Sequence, residues 1–190
     1  MTDTFKSIIH KIEAARQCGS AVLVAIDGRC ASGKTTLAAR LSQHYGCPVI
    51  HMDEFFLRPE QRTPERYAAP GENIDHERFL EEVLLPLRRG TPPAYRPYDC
   101  QTQQLAAPVA LPDAPIYIIE GSYSCHPQLR RHYDLRLFLT VEPETQMQRI
   151  TKRNGPEYAE VFRTRWIPME EAYFSACGVQ ESCDAIYSTT

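Results

Sequence analysis

Runs of apolar and β-branched residues recur along the chain, separated by segments with helical spacing. Such short runs predict buried strands, and they cover residues 22–26, 49–52, 116–119, 135–139 and 184–187. A helical segment between the first two runs predicts a βαβ unit, which requires a parallel sheet. The pattern therefore predicts an α/β fold, in which the carboxyl ends of the strands line a ligand-binding crevice.

Spacings of three and four residues between apolar positions predict the helices. The first covers residues 1–17, and the second extends from the glycine-containing segment at 28–33 to about Tyr45. The third covers 75–88, with one apolar face formed by Phe79, Val83, Leu84 and Leu87. The fourth covers 143–154. The fifth follows it and is expected to kink or divide at Pro168.

Residues 57–115 differ from the rest of the chain in composition. They hold ten of the fifteen prolines, and outside the predicted helix they are punctuated by Arg and Tyr. One interpretation is a disordered linker. The aromatic residues and the amphipathic helix favour a packed insertion instead, because long irregular segments inside a compact domain tend to be functional. We therefore expect a single domain, residues 1–190, with a substrate-covering insertion at about 57–115.

Length and charge narrow the range of functions. A chain of 190 residues is long enough for one domain with a sizeable core. The net charge of -3 argues against a general nucleic-acid-binding protein, because there is no basic excess to displace counterions. Seven cysteines are scattered without metal-binding spacing, and no signal peptide or membrane span is recognised. The sequence thus predicts reduced thiols in a cytoplasmic protein, with neither a membrane nor a nucleic-acid partner.

The segment after the first strand carries the strongest chemical signal. Residues 28–36 have the sequence Gly-Arg-Cys-Ala-Ser-Gly-Lys-Thr-Thr and lead into a helix. This arrangement predicts a phosphate-binding loop, whose backbone N–H groups hold phosphate oxygens at a helix N-terminus. Lys34 would reach the β- and γ-phosphates, and Thr35 would bind Mg²⁺. The alternative is a glycine turn before a surface helix. The predicted nucleotide-binding residues of the loop are Gly28, Ala31, Ser32, Gly33, Lys34, Thr35 and Thr36.

Two later strands end in carboxylates. Asp53 follows the second strand, and Glu120 ends the third. Because the carboxyl ends of the strands meet at the crevice, Asp53 should point toward the phosphates. Glu120 is placed to orient a magnesium ion or its waters, so we predict a metal site formed by Thr35 and Glu120.

Basic residues cluster on the last two predicted helices, around the Gly-Pro break at 155–156. Charges on helix faces are usually solvated surface, which is one interpretation. The other is a lid, at about residues 149–165, that brings cations to a migrating phosphoryl group and keeps water out. The cluster comprises Arg149, Lys152, Arg153, Arg163 and Arg165.

Missing motifs separate the classes of phosphate-loop protein. The chain has no Asn-Lys-x-Asp guanine motif and no Ser-Gly-Gly-Gln signature, which argues against a GTPase and an ABC-type ATPase. An acid after the second strand, an insertion rich in Arg and Tyr, and a basic lid instead indicate a small-molecule kinase. A regulatory module that binds nucleotide without catalysis is the non-enzymatic alternative.

Five motifs resemble, in this order, those of the uridine kinase and phosphoribulokinase family, which includes nicotinamide riboside kinases and bacterial pantothenate kinases. They are IDGRCASGKTT, HMDEFF, NIDHERF, YRPYDC and IIEGSY. The similarity extends from about Ala21 to Tyr187. It implies a P-loop NTPase fold with a five-stranded parallel sheet flanked by helices. It also implies ATP with Mg²⁺ as the phosphoryl donor and transfer to a primary hydroxyl, typically the 5′-OH of a ribonucleoside.

The resemblance further implies roles for individual residues. Asp53 matches the general base, which accepts the hydroxyl proton; the alternative is a helix cap or a ligand of a Mg²⁺-bound water. The catalytic cations near the adenine and the phosphates would be Lys34, Arg149 and Arg153. For Asp75 and Tyr98, a capping or packing residue is the alternative. The substrate-binding residues would be Asp53, Phe56, Arg58, Asp75, Tyr98 and Glu120.

Two departures from the family pattern affect the acceptor and the lid. Where uridine kinases have a His-Ser-Arg segment that helps to recognise the pyrimidine, this chain has Thr102-Gln103-Gln104. A site built for one base rejects analogues strongly, so this change argues against uridine itself. The Arg-Gly-Arg-Asp segment of the lid is also missing, with Arg163 and Arg165 as candidate substitutes.

Together these features predict an ATP- and Mg²⁺-dependent kinase of a small hydroxyl-bearing metabolite. A nucleoside is the leading acceptor, and nicotinamide riboside and pantothenate are the alternatives. The HMDEFFLRPE stretch is as similar to nicotinamide riboside kinases as to uridine kinases. A homo-oligomeric assembly is left open.

Overall fold

The computed structural model describes residues 2–16 and 21–189; Met1, residues 17–20 and Thr190 of the predicted domain lie outside them. Its strands are β1 (Val22–Gly28), β2 (Val49–His51), β3 (Ala94–Tyr95), β4 (Tyr98–Asp99), β5 (Gln104–Leu105), β6 (Val109–Ala110), β7 (Ile116–Glu120), β8 (Leu135–Val141) and β9 (Ala185–Thr189). Its α-helices are α1 (Thr2–Ala15), α2 (Lys34–Tyr45), α3 (Pro64–Ala68), α4 (His76–Phe79), α5 (Leu85–Arg88), α6 (Pro143–Asn154), α7 (Pro156–Val161) and α8 (Ile167–Ala176). None of these described helices combines the length and the apolar character needed to cross a lipid bilayer.

Five strands form the central sheet, in the order β2-β7-β1-β8-β9, and every neighbouring pair is parallel. The predicted α/β fold is therefore confirmed. β1 lies in the middle, and all seven of its residues are buried. A strand covered on both faces needs apolar side chains on both, which explains its nearly continuous apolar run. The carboxyl ends of β1, β2 and β7 meet, since Ile26 of β1 and His51 of β2 are both paired with Glu120 of β7.

Helices cover both faces of the sheet. On one face, α1 and α2 pack through Ile8, Ile12 and Leu41 against β1, β7 and β8. On the other face, the helix of the insertion packs through Phe79 and Val83. The insertion also carries two small antiparallel strand pairs, β3 with β6 and β4 with β5. Residues of the insertion thus form part of the core.

Two helices continue past a proline through a wider, π-helical turn. The segment Leu80–Leu84 separates α4 from α5 and comes just before Pro86. The segment Phe162–Trp166 separates α7 from α8 and comes just before Pro168. Proline lacks an N–H and its ring crowds the preceding turn, and a π turn relieves both problems. The helical path therefore continues past Pro168, with the wider turn at the position where a kink or division was predicted.

A cluster of Glu72, His76 and His126 ties the insertion to the loop after β7. The two imidazole rings stack with their centroids 4.2 Å apart, and their Nε2 atoms lie 3.1 and 3.5 Å from the Glu72 carboxylate. The backbone N–H of Gln128 donates to Nδ1 of His126, so the proton of that neutral ring belongs on Nε2. In this tautomer Nε2 of His126 carries the proton and faces Glu72, so the cluster links the insertion to the loop after β7.

Stability below pH 6.5 should depend on His126. Burial, with the nearby His76, lowers the pKa of His126 from 6.5 to about 3. The folded protein holds the ring neutral while the unfolded chain takes up a proton near pH 6.5, so stability present above that pH is lost as the pH falls toward 3. We expect His126→Asn to reduce the fall in unfolding free energy between about pH 8 and about pH 5 by about 1 to 2 kcal/mol.

Urea denaturation at both pH values measures this effect. His10→Asn is the matched control, because the His10 side chain is exposed on α1; it should keep the wild-type pH dependence. A His126→Asn profile parallel to that of the wild type would show that His126 does not contribute.

Gly28, the last residue of β1, fits closely against β8. Its φ is +130°, and a Cβ atom there would lie 2.0 Å from the carbonyl oxygen of Leu139. We expect Gly28→Ala to lower the unfolding free energy by about 3 kcal/mol, since the backbone of β8 must move. Gly90→Ala is the control, because its φ is +72° but no atom of the described chain lies within 4 Å. Only backbone strain of about 1 kcal/mol remains there. Equal losses in urea denaturation would contradict the close fit.

Candidate functional site

A cavity of about 1010 Å³ opens at the end of the sheet where β1, β2 and β7 terminate. It is enclosed by the start of α1, the phosphate loop with α2, the turn after β2, the insertion, the loop after β7, the helices from α6 to α8 and the end of β9. This is the position at which α/β sheets bind ligands. The predicted site residues that line it are Ala31, Ser32, Gly33, Lys34, Thr35, Thr36, Asp53, Phe56, Glu120, Arg149 and Arg153.

The loop between β1 and α2 has the backbone shape of a phosphate cradle. Ala31 and Gly33 have positive φ values of 59° and 92°, and turns of this kind make successive N–H groups converge on an anion. The Ser32 hydroxyl is buried without a hydrogen-bond partner in the described chain. Lys34 donates to two loop carbonyl oxygens at 2.7 and 2.9 Å. The loop thus offers an unpaired hydroxyl, an ammonium group and the N-terminus of α2, which together fit a polyphosphate.

Thr35 and Glu120 meet in the cavity. The Thr35 hydroxyl lies 3.2 and 3.3 Å from the two carboxylate oxygens of Glu120, to which it donates. Nδ1 of His51 lies 2.6 Å from the same carboxylate, and this hydrogen bond raises the pKa of His51. A hydroxyl and a carboxylate are ligands that Mg²⁺ accepts, so these two residues fit the predicted metal.

Asp53 lies in the 3₁₀ turn Met52–Phe55 directly after β2, where its side chain is exposed to the cavity. Partial removal from water raises the pKa of Asp53, His51 lowers it, and Glu120 raises it further. A carboxylate with a raised pKa is a stronger proton acceptor while it stays ionised. The structure therefore places a carboxylate in the cavity that the phosphate loop lines, and its role as the general base stays a prediction.

Three predicted substrate residues lie outside the cavity lining: Arg58, Asp75 and Tyr98. Asp75 is 2% exposed and caps α4 by accepting from the backbone N–H of Arg78 at 3.2 Å. Arg58 lies 3.7 Å from the same carboxylate. Tyr98 is buried, and its hydroxyl accepts from Arg62 at 2.6 Å. In this arrangement Asp75 is a helix cap, which was the alternative to a substrate-binding role. Tyr98 does not line the cavity itself but binds Arg62, which does.

The insertion brings other residues to the cavity that were not predicted as site residues, although Asn73 and Cys100 lie within two of the motifs. They lie in turns and short segments without periodicity, so the hydrophobic pattern carries no signal for them. They are Leu57, Arg62, Tyr67, Asn73 and Cys100.

The predicted lid has a part that faces the cavity and a part that does not. Nη1 of Arg149 donates to the carbonyl oxygen of Ala31 at 3.2 Å, so this residue touches the phosphate loop. Arg153 and Arg165 also line the cavity. Arg163 instead forms an exposed ion pair with a glutamate on the same helix. Of the two candidate substitutes for the missing lid arginines, Arg165 is the one that faces the cavity in the described chain.

Helix α8 holds the phosphate loop through two adjacent glutamates. The Glu170 carboxylate accepts from the backbone N–H of Cys30 at 3.0 Å and from the Ser122 hydroxyl at 2.5 Å. Glu171 accepts from the Arg29 guanidinium at 2.6 and 3.0 Å. No local sequence pattern indicates either glutamate, because the partners in the loop are about 140 positions away.

Asp27 fixes the base of the loop. It is fully buried and accepts from the backbone N–H groups of Gly28 and Cys125 at 2.7 and 2.8 Å and from the Tyr173 hydroxyl at 2.9 Å. Burial raises the pKa of Asp27 from 3.8 to about 6, against these hydrogen bonds, which lower it. Asp27 thus joins β1 to the loop after β7 and to α8.

Solved structures of other proteins share this architecture, although no protein-family model matches the chain. A possible uridine kinase from Bacillus stearothermophilus has a TM-score of 0.70 and 20% sequence identity, and the match covers 98% of both chains. A candidate fructose transport system kinase from Silicibacter sp. TM1040 has a TM-score of 0.75 and 22% identity over 96% of this chain and 98% of that one. YFH7 from Saccharomyces cerevisiae, a candidate P-loop kinase with a circular permutation, has a TM-score of 0.65 and 12% identity over 99% and 98%.

These likenesses define the class of the fold. The chain has the α/β P-loop NTPase fold, with the central parallel sheet flanked by helices. The predicted resemblance to uridine kinase-like P-loop kinases is confirmed at the level of the fold. One fold serves many functions, so the function must be inferred from the site.

Proposed function

We propose that the protein is an ATP-dependent phosphotransferase that phosphorylates a hydroxyl of a small metabolite. The observation that carries the proposal is the placement of Lys34, Thr35, Glu120 and Asp53 around one cavity. A loop that fits polyphosphate, oxygen ligands for Mg²⁺ and a carboxylate base are the parts that phosphoryl transfer requires. A regulatory nucleotide-binding module needs no base, so Asp53 in the cavity favours the enzyme.

The reaction needs one proton acceptor and several cations. The hydroxyl of the small metabolite gives its proton to the Asp53 carboxylate, and its oxygen forms a bond to the γ-phosphorus of ATP. The bond between that phosphorus and the bridging oxygen breaks, and ADP leaves. Lys34, Arg149 and Arg153 stabilise the charge that develops on the transferred group. Mg²⁺, which Thr35 and Glu120 would hold, supplies further neutralisation of the phosphate oxygens.

A nucleoside is the acceptor that the five motifs favour, with nicotinamide riboside and pantothenate as the alternatives. Phe56 supports a ring-bearing acceptor, since it lines the same cavity as Asp53. The described cysteines are free thiols, which supports a reducing compartment such as the cytoplasm, where ATP is also available.

ADP release from Mg-ATP tests the proposal, with uridine, cytidine, nicotinamide riboside, pantothenate and no acceptor as the arms. We expect one acceptor to raise the rate far above background. Trp166 is the single tryptophan and lines the cavity, so its fluorescence reports ATP binding separately. Binding of ATP without acceptor-dependent ADP release in any arm would favour the regulatory module instead.

A further inference from the structure

Arg62 differs from the neighbouring arginines of the insertion. Arg58, Arg66 and Arg78 each form an ion pair with a carboxylate. Arg62 forms none with any described residue, although it is half-buried and lines the cavity. A cation held partly away from water without a counter-ion is unfavourable unless a ligand supplies the negative charge.

Neutral groups hold the Arg62 guanidinium in place. Its Nε donates to the carbonyl oxygen of Leu57 at 2.9 Å, and its Nη2 donates to the Tyr98 hydroxyl at 2.6 Å. These contacts orient the group but leave its charge uncompensated. Nη1 donates to no atom of the described chain, so it is available to a ligand. A planar guanidinium fixed in this way suits a carboxylate or a phosphate.

Arg62 and Asp53 line the same cavity, and so does Cys100, on whose thiol both charges act. Burial raises the pKa of the Cys100 thiol, Asp53 raises it further, and Arg62 lowers it. Asp53 and Arg62 do not pair with each other, so each is left to contact a different part of one acceptor.

We propose that the acceptor carries an anionic group, a carboxylate or a phosphate, besides the hydroxyl that is phosphorylated, and that Arg62 binds this group. The inference rests on the proposed function, because it assigns the acceptor side of the same cavity. It also divides the open acceptors by charge. Uridine is neutral and nicotinamide riboside is a cation, whereas pantothenate and nucleosides with a carboxylated base have the required anion.

Matched acceptor pairs test this preference with the wild-type protein. The members of each pair differ in one anionic group: uridine and orotidine, nicotinamide riboside and nicotinate riboside, ribulose and ribulose 5-phosphate. Trp166 fluorescence measures binding, and ADP release measures turnover. In the pair that fits the cavity, we expect the anionic member to bind about 10- to 100-fold more tightly. The first two pairs detect a carboxylate preference, and the third detects a phosphate preference.

The two measurements separate the inference from the proposed function. Equal binding of both members in every pair, or tighter binding of the members that lack the anionic group, overturns the inference even if ADP is released. Tighter binding of an anionic member supports the inference, and if no arm then releases ADP, the proposed function alone is contradicted.

Variants of Arg62 locate the effect. Arg62→Gln should weaken binding of the member with the anionic group about 10- to 100-fold, and that of the member without it less than about twofold. Arg62→Lys should have an intermediate effect. Arg96→Gln is the matched control, because Arg96 also donates to two backbone carbonyls of the insertion, but it is exposed and outside the cavity lining. A loosened insertion would weaken both members alike, so equal losses in Arg62→Gln overturn the inference.

Discussion

Lys34→Met should lower kcat by at least about 1,000-fold, which corresponds to about 4 kcal/mol of transition-state stabilisation. Lys34 lines the cavity at the start of α2 and is only 8% exposed, so its charge acts in a site largely shielded from water. Its ammonium group donates to loop carbonyl oxygens. The ammonium group can exchange these neutral partners for phosphate oxygens. Methionine has about the length of lysine but no charge, so it cannot bind them.

Lys6→Met provides the control for Lys34→Met. Lys6 is exposed on α1 and outside the cavity lining, so its replacement should leave kcat within about twofold of the wild type. Urea denaturation of both variants establishes that they are folded. A folded Lys34→Met variant with a kcat near that of the wild type would exclude the assigned role of the phosphate loop.

Asp53→Asn should lower kcat by about 100- to 10,000-fold, the range in which general bases contribute. Asparagine keeps the size and polarity of the side chain but cannot take the hydroxyl proton. ATP affinity, followed by Trp166 fluorescence, should stay close to that of the wild type, because Asp53 acts on the acceptor. Asp113→Asn, at an exposed position before β7, is the control. A near wild-type rate in Asp53→Asn would favour the alternative role as a cap or as a ligand of a Mg²⁺-bound water.

The pH profile gives a second measure of Asp53. Partial removal from water raises its pKa above 3.8. Since the base must be ionised, kcat/KM should increase with pH through this raised pKa and then level off. In Asp53→Asn, the residual kcat/KM should not increase with pH in this range. An unchanged increase would show that another group, and not Asp53, titrates there.

The strands and the phosphate loop could be predicted because their signals are local. The apolar run of β1 follows from burial on both faces. Gly33 and Lys34 occupy fixed positions relative to the helix they begin, so their spacing alone indicates the anion site. Asp53 and Glu120 could be predicted as well, since they stand at the ends of strands that the sheet brings together.

Residues placed by packing could not be predicted in this way. Glu170 reaches the phosphate loop from α8, and Arg62 enters the cavity from an irregular part of the insertion. Arg62 lies outside any periodic element, and the sequence of α8 does not determine how that helix packs against the loop. Each contact depends on segments far apart in the chain. Only the folded arrangement brings them to the site.

Asp75 shows how a motif and its surroundings can differ. Its match to the family motif predicts a substrate-binding acid, whereas the structure has it buried as the cap of α4. The local sequence holds a signal for the cap, because an aspartate before a helical segment readily accepts from backbone N–H groups in the first turn. The capping signal and the family motif therefore fall on the same residue. Contact between Asp75 and a substrate stays a prediction.

The most direct test follows the phosphoryl group itself. The wild-type protein is incubated with an acceptor and ATP that is radiolabelled in its γ-phosphoryl group, and the label is traced among acceptor, ATP and inorganic phosphate. We predict that the label moves to the acceptor, with one labelled product for each ADP formed, and that Lys34→Met does not transfer it. Label that stays in bound ATP, or that appears only in inorganic phosphate, would contradict the assignment of the protein as a small-molecule kinase.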